Sequence, residues 1–493
     1  MEQSPQTLKR AFGMKEAVTI TVGTVIGVGL FTVGSNIVGE MGSTVIIATL
    51  VAMLISIYPA RLYAEMGAAL PYAGGTYKYA SLGLGRPFGM LAGWNFIISL
   101  VAVTSGEALA FSFYIKTALS VLGLDLPLSD VVVASLVIGV FIVTNILGVE
   151  MTGRLQNGLM FFFWGVAIIW FLMMIPYVDM GRFIVTPSYL DLNSKNFIVW
   201  VALIWWCFAG FETCCAMGEE IKYPQINIPR ALFLAPIIVF VVNAFFQWFL
   251  VGIVPTEALA PLAEAQAPYA DAMKAAGVLG FPLFMLSIGI SLGGDFSTLN
   301  ASVAVPPRYL FTMARDGALP RFFAKLHPKY RSPYVSILAL GFLSILLIST
   351  DSINYIASLS LFGDLFYYVI GIVASIFLRY RHPELNRPYK APLIEVGAPV
   401  SAIIYVIMMS QLDSEAFKDG VIWCVAGLTI FFICRGIYKD KGDEVLADQI
   451  MTLENPSAEE RAKMDREYRI WRTVVWSAFA IVVCLYLIPQ IIK

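Results

Sequence analysis

The chain has 493 residues, of which 58% are hydrophobic and only 14% charged, with a mean hydropathy of +0.76 and a formal net charge of −1. Soluble domains carry about 25% charged residues, so this composition excludes a soluble enzyme or binding module. No nucleic-acid partner is expected of it, and the lipid bilayer is its expected surroundings.

The first fifteen residues, 1–15, are polar and include Lys9, Arg10 and Lys15. No short apolar core followed by a small-residue cleavage site marks a removable leader, so they read as a cytoplasmic tail. Apolar segments near the roughly 20 residues that a crossing helix needs then recur along the chain. They are placed at about 16–37, 43–64, 88–118, 129–148, 154–176, 197–217, 231–254, 278–304, 334–350, 353–378, 392–411, 420–437 and 471–490. With the N-terminus inside, the outer loops hold only Lys116, Arg182, Lys195, Lys274 and Lys418, plus terminal Lys493, of 33 Lys and Arg. The excess of basic residues on the other side sets the orientation, with the C-terminus outside. The last segment has an interfacial helix as its alternative.

Residues 16–380 therefore form a ten-helix core. A basic, proline-bearing loop, 378–392, contains Arg387-Pro388-Tyr389 and cannot continue the tenth helix. Helices eleven and twelve occupy 391–437. A polar segment follows over 438–470, alternating acids and bases as a solvated cytoplasmic helix does, and 471–493 holds the thirteenth span.

Two spans are interrupted. The first contains Gly23-Thr24-Val25-Ile26-Gly27-Val28-Gly29-Leu30-Phe31, and the sixth contains Trp206-Cys207-Phe208-Ala209-Gly210-Phe211-Glu212-Thr213. Glycine weakens a helix interior by about 1 kcal/mol relative to alanine. Lipid offers freed backbone groups no partner, so unwound chain at that depth lines a cavity. Breaks in the first and sixth spans divide the core into two five-span repeats, about 16–176 and 197–378. An odd number of spans inverts the second repeat relative to the first, the arrangement of alternating-access transporters.

Histidine is no candidate for a buried proton carrier, because His327 and His382 lie in polar loops. The six cysteines, Cys207, Cys214, Cys215, Cys424, Cys434 and Cys484, all fall in apolar segments and read as small apolar filler. No GxxxxGK[ST] phosphate loop is present, and the glycines of the first span have no preceding strand, so neither ATP nor a dinucleotide cofactor is expected. Glu107, Asp295 and Asp364 lie deep within spans three, eight and ten, and Asp364 falls about 16 Å below the start of its span. An ionisable group in hydrocarbon costs at least about 2.5 kcal/mol, so such residues face a cavity or are protonated and bonded to a neighbouring helix. No lysine or arginine lies at that depth, and the field favours a cation.

Several segments together resemble the amino acid–polyamine–organocation (APC) superfamily of permeases. They are Gly23–Phe31; Ala64-Glu65 through Leu70-Pro71-Tyr72-Ala73-Gly74-Gly75-Thr76-Tyr77 to Gly93-Trp94; Phe208–Glu212 with Glu219-Glu220-Ile221-Lys222-Tyr223-Pro224 and Ile228-Pro229-Arg230-Ala231; Asn300-Ala301 to Arg308 with Ala314–Pro320; and the Arg387-Pro388-Tyr389 loop. The resemblance covers about 12–435 and implies an all-α polytopic membrane protein. Its LeuT-like fold is a 5+5 inverted repeat with discontinuous helices one and six, here followed by two or three further C-terminal helices.

The resemblance also implies a site. A substrate carboxylate is expected on backbone N–H groups around Thr24, Ile26, Gly27, Val28 and Gly29, since a helix N-terminus suits an anion. Many relatives have a hydroxyl residue where Val28 stands, so here only backbone donors remain. An ammonium group is expected at carbonyls near Phe208, Ala209 and Gly210, beside Trp206 and Phe211 and with Thr298; packing in the core or against lipid is the alternative for Trp205. Glu107, like Asp295 and Asp364 less typical of the family, joins the binding set because of its depth. Glu212 accepts bonds from the unwound segment or carries a proton, and Asp295, Ser297 and Asp364 join it as gating or coupling groups. Ser297 and Thr298 also form a candidate sodium site. The lysine that some sodium-independent relatives carry after the pair that here is Gln156-Asn157 is missing, which leaves sodium, proton and exchange modes open.

The sequence thus reads as a secondary active transporter, permease or antiporter, of an amino acid or a small organic amine such as a polyamine or ethanolamine. Family frequency puts an α-amino acid first, while the buried acids and Val28 pull toward amines. A non-transporting solute sensor is the alternative, followed by a channel. No catalytic residue or resident metal is expected.

Overall fold

A chain this apolar is confined to helices or a closed barrel, because every backbone polar group inside a bilayer must be satisfied by the protein. The computed structural model describes residues 10–183, 195–349, 353–412, 414–438 and 453–491. The chain is an all-α polytopic membrane protein; among the described residues the β-pairing is limited to two isolated bridges, Phe12 to Ile221 and Ala73 to Met217. Among the described residues, eight helices are long and apolar enough to cross a membrane, and the apolar helices Asp130–Ile146, Phe197–Trp206, Tyr334–Ile348 and Ile394–Met409 are shorter.

The first span opens as α1 (Met14–Gly23), where the Glu16 carboxylate accepts the Gly13 N–H at 2.8 Å. Residues 24–27 leave the helix, which resumes as a π-helical turn, Gly29–Val33, and continues as α2 (Gly34–Met41). Then come α3 (Val45–Ala69), a short α4 (Gly75–Gly83), α5 (Arg86–Val121), α6 (Asp130–Ile146) and α7 (Val149–Met174). The sixth span repeats the interruption: α8 (Lys195–Trp206) gives way to turns over 207–212 and then to one helical turn, α9 (Thr213–Ala216). The second half continues with α10 (Pro224–Ile253), a short α11 (Pro268–Ala275), α12 (Phe281–Ile288), a π-helical stretch Gly289–Asp295, α13 (Phe296–Ala304), α14 (Pro306–Arg315), α15 (Tyr334–Ile348) and α16 (Ile353–Arg381). The halves match in order. Each has an interrupted span, a long span, a short connecting helix, and then a very long third span, Arg86–Val121 with 36 residues against Phe281–Arg315 with 35.

Two features differ from the sequence expectation. Span eight is not one regular helix, because Gly289, Gly293 and Gly294 let a π-helical stretch press against its neighbours. A Cβ on Gly294 would lie 2.5 Å from the Phe31 ring, and one on Gly293 would lie 2.8 Å from Phe163 Cβ. At the C-terminal end, α17 (Ile394–Met409) and α18 (Ser414–Tyr438) are followed by α19 (Ala458–Ile491), in which much of the polar segment and the thirteenth span are a single helix. Residues 439–452 of that polar segment lie outside the described residues. A reciprocal cap starts α19: Ser457 Oγ accepts the Glu460 N–H at 3.2 Å and Glu460 Oε2 accepts the Ser457 N–H at 2.9 Å. The polar half of α19 is largely exposed, with Asp465 paired to Arg230; in its apolar half Tyr486 donates to the Ala244 carbonyl at 3.0 Å and the Leu485 carbonyl accepts from Trp248 at 3.3 Å, so α19 runs beside α10.

Ion pairs knit one end of the bundle. Glu65 on α3 takes Arg379 of α16 and Arg387 of the following loop, the latter at 3.3 Å, and accepts the Ala391 N–H at 2.7 Å. Glu219 holds Arg315 at 2.9 Å, and Lys78 holds Asp316. Deepest is Glu220, which receives Arg308 Nη2 at 3.1 Å and Nε at 3.2 Å, with Arg308 fully buried and Glu220 2% exposed. Burial pushes the Glu220 carboxyl above its ordinary range, with Arg308 pulling the other way. These buried bases were not anticipated, but they sit at the end of the bundle, paired, and not between the two breaks. Removing one partner of a buried pair strands a charge. Arg308→Met is therefore expected to lower thermal stability in detergent by about 3–5 kcal/mol, and adding Glu220→Met is expected to restore most of it. A double variant no more stable than the single one would contradict the pairing.

Candidate functional site

The two breaks face each other across a small chamber. Thr24, Val25, Val28 and Gly29 from the first break, Trp206, Ala209 and Gly210 from the sixth span, Leu100, Val103 and Glu107 from α5, and Asp364 from α16 line it. Its volume is about 20 Å³, room for roughly one water, so the helices are closed around it. Carboxyls of Glu107 and Asp364 supply its charge and no basic residue lines it. A larger cleft of about 820 Å³, between α10, the Arg387-Pro388-Tyr389 loop and the start of α19, touches neither break.

Three helices satisfy the first break. From α5, Glu107 Oε1 accepts the Val28 N–H at 2.7 Å, and two turns further along Tyr114 donates to the Phe31 carbonyl at 2.9 Å. From α13, Thr298 Oγ1 lies 2.8 Å from the Gly23 carbonyl and 2.9 Å from that of Ile26. From the sixth span, the Cys207 thiol lies 3.0 Å from the Gly29 carbonyl. Gly23 and Gly27 are required for this closeness, since a Cβ at Gly23 would lie 1.9 Å from Gln156 Nε2 and one at Gly27 would lie 2.1 Å from Glu107 Oε1.

The second break is held mainly by α16. Tyr368 accepts the Gly210 N–H at 2.9 Å and donates to Glu212 Oε2, while Tyr367 donates to Glu212 Oε1 at 2.9 Å. Gly210 adopts φ +94°, a conformation other residues rarely take, and its carbonyl is bonded by Thr213. Asp364 accepts from Ser99 at 2.6 Å, and Ser360 receives the Trp206 indole N–H at 3.0 Å. Trp205 is fully buried and donates to Tyr405 of α17 at 3.2 Å, which makes it a core residue.

Of the expected substrate-binding residues, Thr24, Val28, Gly29, Glu107, Trp206, Ala209 and Gly210 line the chamber, and so does Asp364. Ile26, Gly27, Phe208, Phe211 and Thr298 do not. The Ile26 carbonyl and the Thr298 hydroxyl are spent on each other, and the Gly27 α-carbon is covered by Glu107. Phe208 is fully buried, and Phe211 packs on Tyr368 at 5.1 Å between ring centroids. Of the N–H groups expected to await a substrate carboxylate, that of Val28 already bonds to Glu107. Similarly, the Gly210 carbonyl is not free for an ammonium group. Glu212 reaches the freed Gly210 N–H only through Tyr368. Ser297 accepts from Gln156, and Asp295 is fully buried with its carboxyl against that of Glu107.

Val25, Leu100, Val103, Ser99, Ser360, Tyr368 and Gln156 were missed. Ser99, Val103 and Glu107 recur every four residues and thus share one face of α5, a readable signal once Glu107 is known to face inward. Cys207, read as filler, bonds to the first break, which its residue type does not reveal.

Comparison with known proteins agrees with this architecture. The amino acid permease family model matches residues 12–433. The branched-chain amino acid permease BcaP of Bacillus subtilis is 24% identical over 446 residues, 87% of this chain and 93% of the relative. The methylthioribose transporter of the same organism is 25% identical over 448 residues, covering 88% and 95%. Its serine/threonine exchanger SteT is 26% identical over 451 residues, covering 88% and 98%. These relatives are transporters and not enzymes. With the family model covering most of its length, and with two interrupted spans meeting in a buried chamber, the chain belongs to the amino acid permeases of the APC superfamily.

Proposed function

We propose that this protein is a secondary active transporter that carries a small amine-bearing solute across the cytoplasmic membrane by alternating access, with its N-terminus inside. The observation that carries this reading is the chamber itself, two carboxyls and an indole at the meeting point of two broken helices, with no base among its walls. Buried acids favour a cation, and an aromatic face over a cation adds about 0.5–2 kcal/mol. Away from the chamber, the Glu220–Arg308 and Glu65–Arg379 pairs tie the helices together, and Asn36 bonds to the Ala265 carbonyl at 3.1 Å. Passage of a solute then needs one half of the bundle to rock against the other.

The coupling ion is proposed to be a proton, or the mode to be exchange, with no sodium requirement. Gln156 Nε2 donates to the Thr19 carbonyl at 3.1 Å and to Ser297 Oγ at 2.8 Å, while its Oε1 accepts from Asn300 at 2.8 Å. The neutral amide thus ties α1 to α13. Thr298 Oγ1 meanwhile lies 2.8 Å from the Gly23 carbonyl and 2.9 Å from that of Ile26, and its one proton bonds to either of them within the protein.

Counterflow of labelled solute in proteoliposomes tests transport. Saturable uptake driven by unlabelled internal solute is expected, and binding without counterflow would instead make the protein a sensor. Replacing external sodium with N-methyl-D-glucamine is expected to leave the initial rate unchanged, and an absolute sodium requirement would overturn the coupling assignment. Glu212→Gln removes one acceptor of the Tyr367–Tyr368 pair and is expected to slow uptake by about tenfold or more at nearly unchanged thermal stability. Wild-type uptake by that variant would refute the role of Glu212.

A further inference from the structure

The transport reading leaves open which part of a solute the chamber recognises. In a chain that takes α-amino acids, the donors at the start of a resumed helix suit the carboxylate. Here the first such donor facing α5, the Val28 N–H, is held at 2.7 Å by the protein's own Glu107. The contact is built in from both sides. Gly27 has no side chain, and a Cβ there would meet Glu107 Oε1 at 2.1 Å and its carboxyl carbon at 2.5 Å. Glu107 lines the chamber, and its carboxyl also meets that of Asp295. Glu107 itself is only 1% exposed.

Resting on that transport reading, we infer that Glu107 stands in for the carboxylate of an amino acid, so that the solute is a primary amine without an α-carboxylate. Its ammonium group lies between the carboxyls of Glu107 and Asp364, against the Trp206 ring, and its apolar part lies on Val25, Leu100 and Val103. A solute carboxylate brought to the same break finds the Val28 N–H already taken and meets the carboxyls of Glu107 and Asp364 in place of donors.

Thermal-shift titration of the full purified chain tests this with matched pairs that differ only in the carboxylate: ethanolamine and serine, isoamylamine and leucine, putrescine and ornithine. In at least one pair the amine is expected to stabilise wild-type protein at a concentration more than about tenfold below that needed for its amino acid. Glu107→Gln retains an oxygen for Val28 and loses the charge, and it is expected to weaken the amine by a similar factor. Glu107→Ala opens the N–H group and is expected to reverse the preference within the pair. If the amino acid of the responding pair stabilises the wild type as well as or better than the amine, this inference falls and the transport reading stands. If neither member of any pair acts, both fall. The wild-type comparison decides the matter even where a variant fails to fold.

Discussion

Everything near the centre of this protein depends on one constraint: backbone groups released where the first span stops being a helix must be satisfied without water or lipid. An unmet N–H or C=O at that depth costs several kcal/mol, far more than the net gain of about 1 kcal/mol from an ordinary hydrogen bond. The chain meets the constraint with side chains from three other spans. Glu107 takes the Val28 N–H, Thr298 takes the carbonyl of Gly23 or of Ile26, and Cys207 takes that of Gly29. Spans three, six and eight are thereby fixed against span one, and the chamber is what remains between them.

Under the proposed alternating access, the same constraint decides which helices move together. The second break is stabilised through α16, whose Tyr367 and Tyr368 hold Glu212 and Gly210, while Asp364 one turn earlier faces the chamber. Each break is therefore fastened to the bundle by a small number of contacts on identifiable helices. Motion that keeps those contacts intact leaves every backbone group paired, whereas separate motion of α1 or α8 would strand them. Rocking of helix groups that carry their own breaks is the inexpensive route. The ion pairs at the polar end, with Glu220–Arg308 buried and Glu65–Arg379 less so, are the contacts such a motion has to exchange.

Much of this was legible in the sequence. Gly23, Gly27 and Gly29 in one span, and Gly210 before Glu212 in another, announce interruptions because glycine is costly in a helix and lipid punishes unpaired backbone. The depths of Glu107 and Asp364 announce a polar interior. What could not be read is which groups spend their bonding capacity on the protein. Val28 looked like an open donor because nothing in its neighbourhood along the chain reveals an acceptor 79 positions away. Thr298 looked like a ligand for substrate or ion for the same reason. The π-helical turn before Asp295 was invisible because Gly289, Gly293 and Gly294 are equally compatible with close helix packing. The joining of the polar segment to the last span could have been anticipated, since Ser457 and Glu460 form the spacing of a helix cap and no breaker follows until Pro489.

The most direct measurement is an experimentally determined structure of the full chain in lipid nanodiscs, at a resolution that places side-chain carboxyls. The account predicts spans one and six broken at residues 24–27 and 207–212, with a Glu107 oxygen within hydrogen-bond distance of the Val28 N–H. Unbroken helices through both stretches, or a Glu107 carboxyl turned away from Val28 toward lipid, would contradict it.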